Sequence, residues 1–128
     1  MIHIEDLKAW LIAQGITTSI SLGPTNQPTA EPHNCYTIWE TGRIGLTTED
    51  VFDLPTFQCL TRGANGLVAR DLAEAFDNKM LGAQNITLGG KYALEIRNIS
   101  GPSNLGTDNY CTQPRTEFTA NYRILIAR

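Results

Sequence analysis

The chain has 128 residues, of which 41% are hydrophobic and 18% are charged, and its formal net charge is −3. These values predict a single globular domain, 1–128, of a size that can enclose one hydrophobic core. The acidic balance disfavours specific nucleic-acid binding, because phosphate contacts require a basic surface, and no apolar run reaches the roughly 18 residues of a membrane span.

The first half of the chain has the pattern of one helix followed by three strands. Ile4, Leu7 and Leu11 recur at helical spacing, and Gly15 supplies a helix stop. Beyond Gly15, apolar and polar residues alternate, as in a half-buried strand. The predicted elements are a helix over Ile4–Gln14, a strand over Ile16–Leu22, a long Pro-rich loop over 23–34, a strand over Cys35–Thr41, a polar connection over Gly42–Asp53 and a strand over Pro55–Arg62.

The second half begins with a helix and ends on strands. Val68, Leu72, Ala75 and Phe76 recur at helical spacing, Met80 continues the row, and together they predict the buried stripe of a helix that Asn65 caps. The predicted elements are a helix over Gly66–Leu81, a short strand over Ile86–Leu88, a strand over Tyr92–Ile99 with Tyr92, Leu94 and Ile96 on one face, a loop over 100–114, and a closing strand with Phe118, Ala120, Tyr122, Ile124 and Ile126 on one face.

This order of elements favours one fold class. Strands clustered around two helices predict an α+β fold, a small mixed and mostly antiparallel sheet with two helices packed on it. The two long loops, 23–34 and 100–114, are rich in Pro, Gly, Asn and Thr and poor in catalytic side chains. Such loops favour a surface that orders against a partner.

The sequence contains none of the motifs by which catalytic or cofactor sites are commonly recognised. His3 and His33 are far apart and no Cys-x-x-Cys occurs, so the ligand spacing of zinc sites is missing. There is neither a P-loop nor a Gly-x-Ser-x-Gly nucleophile elbow. We therefore predict no catalytic residue, no cofactor and no metal ion in a protein that is not an enzyme.

Two local clusters leave catalytic alternatives open. Glu49, Asp50 and Asp53 form the densest acidic group, which could hold Mg²⁺ in a small metal-dependent hydrolase. A solvated turn is the favoured interpretation of that group. Cys35 and His33 could act as nucleophile and base, although no third group that would orient the base is evident. A small cytoplasmic ligand-binding domain is a further alternative, and it would need a sizeable apolar pocket.

The cysteines and the first residues both indicate an intracellular setting. Cys35, Cys59 and Cys111 are odd in number and far apart, which predicts small apolar residues rather than a disulfide framework. The segment Met1–Asp6 carries acids where a signal peptide would carry bases. We expect the protein to be made and assembled in a cytoplasm.

The last third of the chain resembles a known family of phage proteins. Ser100–Asp108, followed by Arg115–Tyr122, is similar to the closing segment of siphophage minor capsid and tail terminator proteins. Those proteins tend to have a Pro, then Leu-Gly-x-Asp, then Arg-x-Glu-Phe-x-x-Asn-Phe/Tyr before a last hydrophobic strand. Glu40–Gly42 and Pro55–Gly63, which leads into an Ala-rich helix, are also similar to the family pattern. One departure is the six residues between Asp108 and Arg115, more than the family pattern has.

The resemblance implies that copies of the chain form a ring, a hexamer as in the family. The ring sits on the end of the tail tube in the virion. Such a protein stops tube polymerisation and then offers a surface to the connector or head-completion protein. A ring needs head-to-tail contacts that close by rotation, and charged pairs fix their register. The candidates for these assembly contacts, chosen from their positions in or beside loops, are Arg43, Glu49, Asp50, Arg62, Asp108 and Arg115.

Other structural roles in the same particle are alternatives. A neck adaptor or head-completion protein would bind the portal, and a tail-tube subunit would polymerise with the tube. We expect the isolated chain to be monomeric or weakly associated and to form rings on the tube, because polar loops can order on assembly.

Overall fold

The structure is a computed structural model that describes residues 3–23, 34–43, 52–108 and 115–127, and for residues 43, 52, 53, 107 and 108 it describes the backbone alone. The two helices and seven strands in this part of the chain are α1 Ile4–Ala13, β1 Ser19–Leu22, β2 Cys35–Arg43, β3 Phe52–Asp53, β4 Pro55–Gly63, α2 Gly66–Leu81, β5 Gln84–Leu88, β6 Lys91–Asp108 and β7 Arg115–Ala127.

The strands form one mixed sheet in the order β1-β2-β4-β7-β6-β5, and β3 pairs with the end of β7. Only β1 and β2 run parallel among these described pairs, and the others are antiparallel. The prediction of an α+β fold with a mixed, mostly antiparallel sheet and two helices is confirmed.

Both helices lie on the same face of the sheet and share one hydrophobic core with it. Leu7 and Leu11 of α1 and Phe76 and Met80 of α2 belong to a single buried cluster with Tyr122 of β7. Helix α2 lies across β4, β7 and β6, whereas α1 contacts β1, β2 and β5. Because α1 contacts strands from both edges, the sheet must curl around the helices. The described residues include no helix long and apolar enough to cross a membrane.

The bounds of α2 agree with the prediction, but its buried stripe differs. The Asn65 side chain caps the helix by accepting a hydrogen bond from the Val68 N–H at 3.0 Å. The buried residues on α2 are Ala69, Ala73, Phe76 and Met80, whereas Val68 and Leu72 are half-buried and Ala75 is exposed. Small alanines let α2 approach the sheet closely, and a Cβ on Gly63 would lie 2.5 Å from the Ala69 nitrogen. The predicted stripe is confirmed for Phe76 and Met80 and was wrong for Ala75, because close packing depends on the partner strand as well as on periodicity.

Strand β6 is the largest departure from the predicted elements. It continues through residues 100–108, which were expected to form a loop, and this part pairs with β7. Its register shifts at several bulges, and for this reason Ala93 and Ile96 are buried while Tyr92 is exposed. A strict alternation over Tyr92–Ile99 was therefore the wrong pattern, because each bulge shifts the faces by one residue.

The other predicted elements agree more closely. Helix α1 ends at Ala13, one residue early, and Gly15 has φ +93, as expected of a glycine stop. Strand β1 begins only at Ser19, and β2 extends to Arg43. Cys35 and Cys59 are buried free thiols, which confirms the prediction for these two. Cys111, and most of the loops over 23–34 and 42–53, lie outside the described residues.

Candidate assembly surface

The face of the sheet opposite the helices, called the outer face below, is mostly polar. Side chains alternate across each strand, so residues next to the core positions point to this face. Three hydrogen-bonded pairs lie along it, and they are Gln58 with Thr119 at 2.7 Å, Asn121 with Ser100 at 2.9 Å and Thr41 with Thr56 at 2.8 Å. The first two join neighbouring strands of the sheet centre and hold its polar side in register.

One end of the outer face holds a charged cluster inside the chain. Arg62 of β4 pairs with Cys35 of β2 on one side and with Glu117 of β7 on the other. Arg115 lies two residues before Glu117 and so projects to the same face. Arg62 and Arg115 are each only 1% exposed. Buried guanidinium groups are tolerated only with charged or hydrogen-bonding neighbours, so the cluster demands a defined local geometry.

The charges of this cluster affect the pKa of the Cys35 thiol. Burial raises its pKa above the ordinary value, the Arg62 and Arg115 charges oppose that rise, and the Glu117 carboxylate adds to it. Burial also raises the pKa of Cys59. A nucleophilic cysteine needs a lowered pKa and access to solvent, because the thiolate is the reactive form. These two thiols therefore have the environment of structural residues.

The structure describes four of the six predicted contact residues, and they lie at both ends of the sheet. Arg62 and Arg115 both belong to the buried cluster, so neither guanidinium is exposed on the surface in this conformation. Asp108 ends β6 opposite Arg115, and Arg43 pairs with Pro55 at the far end of β2. Glu49 and Asp50 lie outside the described residues. The assembly role of these six residues stays a prediction.

Sequence reasoning missed the features that β6 presents to solvent. Ile99 and Leu105 lie at register shifts of the β6–β7 pairing and are 53% and 59% exposed. Nearby, Arg97 stands directly opposite Arg123, and the Arg97 Nε contacts a Glu95 carboxylate oxygen at 2.7 Å. The sequence does show two apolar residues, Ile99 and Leu105, in a segment otherwise rich in Ser, Gly and Asn. Their exposure can be inferred only when the segment is known to be part of strand β6.

The described residues contain no group of three or more His, Cys, Asp or Glu side chains that could hold a metal ion. Glu49 and Asp50 of the acidic alternative lie outside them, and only the backbone of Asp53 is described. Two clefts open on the helical side, with volumes of about 320 and 190 Å³. The larger lies between Trp10, the end of α2 and Ile86, and the smaller lies between residues 15–18, Tyr36 and the middle of α2.

Comparison with known proteins supports the fold alone. No protein-family model matches the chain, and no curated protein matches its sequence. One solved structure aligns with 94% of this chain and 88% of its own, with a TM-score of 0.52 and 12% sequence identity. The name of that protein states no activity. The α+β architecture therefore recurs in another protein, and at this identity the similarity carries no function.

Proposed function

We propose that this chain is a non-enzymatic subunit of a siphophage tail terminator. It would form a ring, most simply a hexamer, on the end of the tail tube, stop polymerisation, and offer the head connector or head-completion protein a joining surface. The protein would be assembled in the host cytoplasm and would reside in the neck of the virion. It would use no cofactor.

The observation that carries this proposal is the ordered resemblance of the closing third of the chain to the family. In the structure its two halves, Ser100–Asp108 and Arg115–Tyr122, form paired segments of β6 and β7. The similar residues thus belong to one structural unit rather than to two separate loops. Arg115 and Glu117 of that unit contribute to the buried cluster, which would explain why a family pattern specifies charged residues there.

The geometry of the outer face also suits a structural role. Its polar side chains are hydrogen-bonded to one another, and the two cysteines described are buried with raised pKa values. Such a surface can contact another protein through its rim and edges without reactive groups. Glu49, Asp50 and the Asp53 side chain of the hydrolase alternative lie outside the described residues, so that alternative stays a prediction.

Electron microscopy of the chain mixed with the tail-tube protein of its own phage tests the proposal. We expect tubes of uniform length with a ring at one end. Tubes mixed with an unrelated acidic protein of similar size are the control and should grow without a cap. Long bare tubes would contradict the proposal, and binding to the portal instead would favour a neck adaptor. Incorporation along the tube would favour a tube subunit.

The hydrolase alternative has its own control. A chain with both Asp50→Ala and Asp53→Ala that loses no function would exclude the hydrolase, and normal capping by this variant would also count against Asp50 as an assembly contact. Loss of capping in this variant would instead indicate that the acids are assembly contacts.

A further inference from the structure

Three side chains from neighbouring strands form a row across the outer face. Thr56 of β4 is the direct partner of Arg123 of β7, and Arg123 is the direct partner of Arg97 of β6. Direct partners in adjacent strands project to the same side of a sheet. These three residues, called the arginine row below, therefore bring two guanidinium groups and one hydroxyl group to the same part of the surface.

The side chains next to the row show that it points away from the helices. Ile96, which precedes Arg97, is buried in the core, and Asn98, which follows it, donates a hydrogen bond to Asp77 of α2 at 2.7 Å. The pairing of β6 with β7 is regular through this stretch, so Arg97 and its partner Arg123 must face the outer side. The Arg97 side chain is 62% exposed and Arg123 is half-buried.

The positive charges of the row are only partly balanced within the chain. Glu95 contacts the Arg97 Nε through one carboxylate oxygen at 2.7 Å. In the part of the chain that the structure describes, no carboxylate forms an ion pair with Arg123. Like charges directly opposite each other destabilise a sheet. The half-buried guanidinium of Arg123 therefore opposes folding, and an anion bound at this place would offset that effect.

The surroundings of the row contain no further described side chain that would cancel this surplus. Glu117 lies roughly 20 Å from Arg123 along β7, at about 3.3 Å per residue. Glu40 of β2 is the partner of Phe57, whose side chain belongs to the core. The two arginines and Glu95 thus carry one net positive charge. The outer-face neighbours along the strands are uncharged, and they are Gln58, Ser100, Asn121 and Leu125.

The donor groups of the row match the acceptors of a phosphate group. Guanidinium groups donate and never accept, and arginine–phosphate pairs are frequently bidentate. Glu95 contacts Arg97 at Nε, so the far side of that guanidinium is left for a ligand. The Thr56 Oγ1 lies 2.8 Å from the Thr41 Oγ1, and when Thr41 donates, the Thr56 proton is left for a ligand as well. A phosphate group offers three strong acceptor oxygens to these three donor groups, whereas a carboxylate offers two.

We propose that the arginine row binds a phosphate group through the guanidinium groups of Arg97 and Arg123, with the Thr56 hydroxyl as a further donor. Inorganic phosphate and a phosphodiester present the same kind of oxygen to these donors, and the probes below separate the two sources. The site does not depend on the proposed ring, because all three donor groups belong to one copy of the chain.

A titration with inorganic phosphate, followed by NMR of the isotope-labelled chain, tests the site. Sodium chloride keeps the ionic strength constant, so that screening does not change during the titration. We expect saturable shifts of the Arg97 and Arg123 Nε–H signals and of the backbone amides in the row. Shifts that do not saturate, or that chloride alone reproduces, overturn the site.

Substitutions assign the binding to the row. Arg97→Gln and Arg123→Gln should each weaken phosphate binding about tenfold, because each removes charge-assisted hydrogen bonds. Arg70→Gln, which makes the same change on the exposed surface of α2, is the matched control and should leave the affinity unchanged. Equal losses in the Arg70 and Arg123 variants would show that phosphate responds to net charge alone, which overturns the site.

The Glu95→Gln variant gives a result in the opposite direction. Removal of this carboxylate raises the net positive charge of the row, so phosphate should bind several-fold more tightly. A row whose only role is structural would not respond in this way. An affinity equal to or lower than that of the wild-type chain would count against the proposed charge balance.

Two further probes identify the source of the phosphate group. Tighter binding of a short single-stranded oligonucleotide, lost in Arg123→Gln, would assign the site to phosphodiesters, and binding of inorganic phosphate alone would assign it to a small phosphate ligand. A short glutamate peptide that binds at the row more tightly than either probe would overturn phosphate as the ligand and indicate a protein partner. Each of these outcomes is independent of whether the chain caps tail tubes.

Discussion

The two faces of the sheet are made by the same strands, yet different forces stabilise them. The core face is apolar, and the Phe76 ring lies between Tyr36 and Tyr122 with centroid distances of 5.0 and 5.7 Å. Each of these tyrosines also donates a hydrogen bond to α2, from Tyr36 to the Leu72 carbonyl at 2.6 Å and from Tyr122 to Asp77 at 2.8 Å. The outer face instead has polar pairs in its middle and buried guanidinium groups at one end.

This difference separates stability from recognition. Burial of apolar area is the dominant favourable contribution to folding, and it belongs to the core face. Polar pairs contribute little net free energy each but require specific partners and geometry. We therefore expect substitutions on the core face to unfold the chain, and most substitutions on the outer face to leave the fold intact.

The largest expected effect is on the core face. Phe76→Ala should lower the free energy of unfolding by about 4 kcal/mol, because it leaves a cavity between two aromatic rings. Urea denaturation followed by circular dichroism measures it. The matched control is Leu67→Ala on the same helix, where Leu67 is 66% exposed, and its effect should stay within about 0.5 kcal/mol. Similar losses in both variants would show that the helix does not pack as described.

The charged cluster should be the exception on the outer face. Arg62→Met should lower the free energy of unfolding by about 3 kcal/mol, because Glu117, its neighbour across β4 and β7, would lose an opposite charge inside the chain. Arg97→Met, whose side chain is 62% exposed in the wild type, is the control and should cost less than about 1 kcal/mol. An Arg62→Met chain as stable as the wild type, in the same urea titration, would show that the cluster does not stabilise the end of the sheet.

The core face should also be sensitive to alkali. Burial raises the pKa of Cys59, Tyr36 and Tyr122 above the ordinary values of 9.0 for the thiol and 10.0 for the phenols, and the Asp77 hydrogen bond raises that of Tyr122 further. The unfolded chain therefore loses these protons first. Stability that is complete below pH 9 should fall as the pH rises, by up to about 1.4 kcal/mol per pH unit for each group.

Urea titrations at several pH values between neutrality and the phenol range measure this slope. Tyr122→Phe should be less stable than the wild type at neutral pH and should lose less stability on going to high pH. A slope unchanged by Tyr122→Phe would mean that this phenol does not contribute to the alkaline loss.

The smallest effect is expected in the middle of the outer face. Gln58→Ala should lower the free energy of unfolding by about 1 kcal/mol or less. The half-buried Gln58–Thr119 hydrogen bond replaces hydrogen bonds to water in the unfolded chain, so its net contribution is small. Replacing both partners, in Gln58→Leu with Thr119→Val, should be nearly neutral. A loss near that of Phe76→Ala would remove the distinction between the two faces.

Local signals explain which elements could be predicted. Helix α2 begins and ends where the sequence indicates, because Asn65 and the apolar spacing act within a few residues of each other. Strand β7 has buried Ala120, Tyr122, Ile124 and Ile126, as its alternation predicts, whereas Phe118 of the same predicted face is half-buried. In both elements the information lies inside the element itself.

Non-local pairing explains which features could not be predicted. The segment 100–108 is rich in Gly, Pro, Ser and Asn, which are typical of loops, and it becomes a strand because β7 pairs along its whole length. The burial of Arg62 and Arg115 is equally invisible in the sequence, where a charged residue is expected on the surface. The exposed Ile99 and Leu105 follow from the same bulges.

The sequence by itself determined the fold class, the two helices and the apolar face of the closing strand, because periodicity and capping are local properties. Only the tertiary structure decided the strand order, the bulges of β6 and the position of the charged cluster. These depend on which strands become neighbours across long stretches of chain, and that choice is made by the packing of the whole core rather than by any single segment.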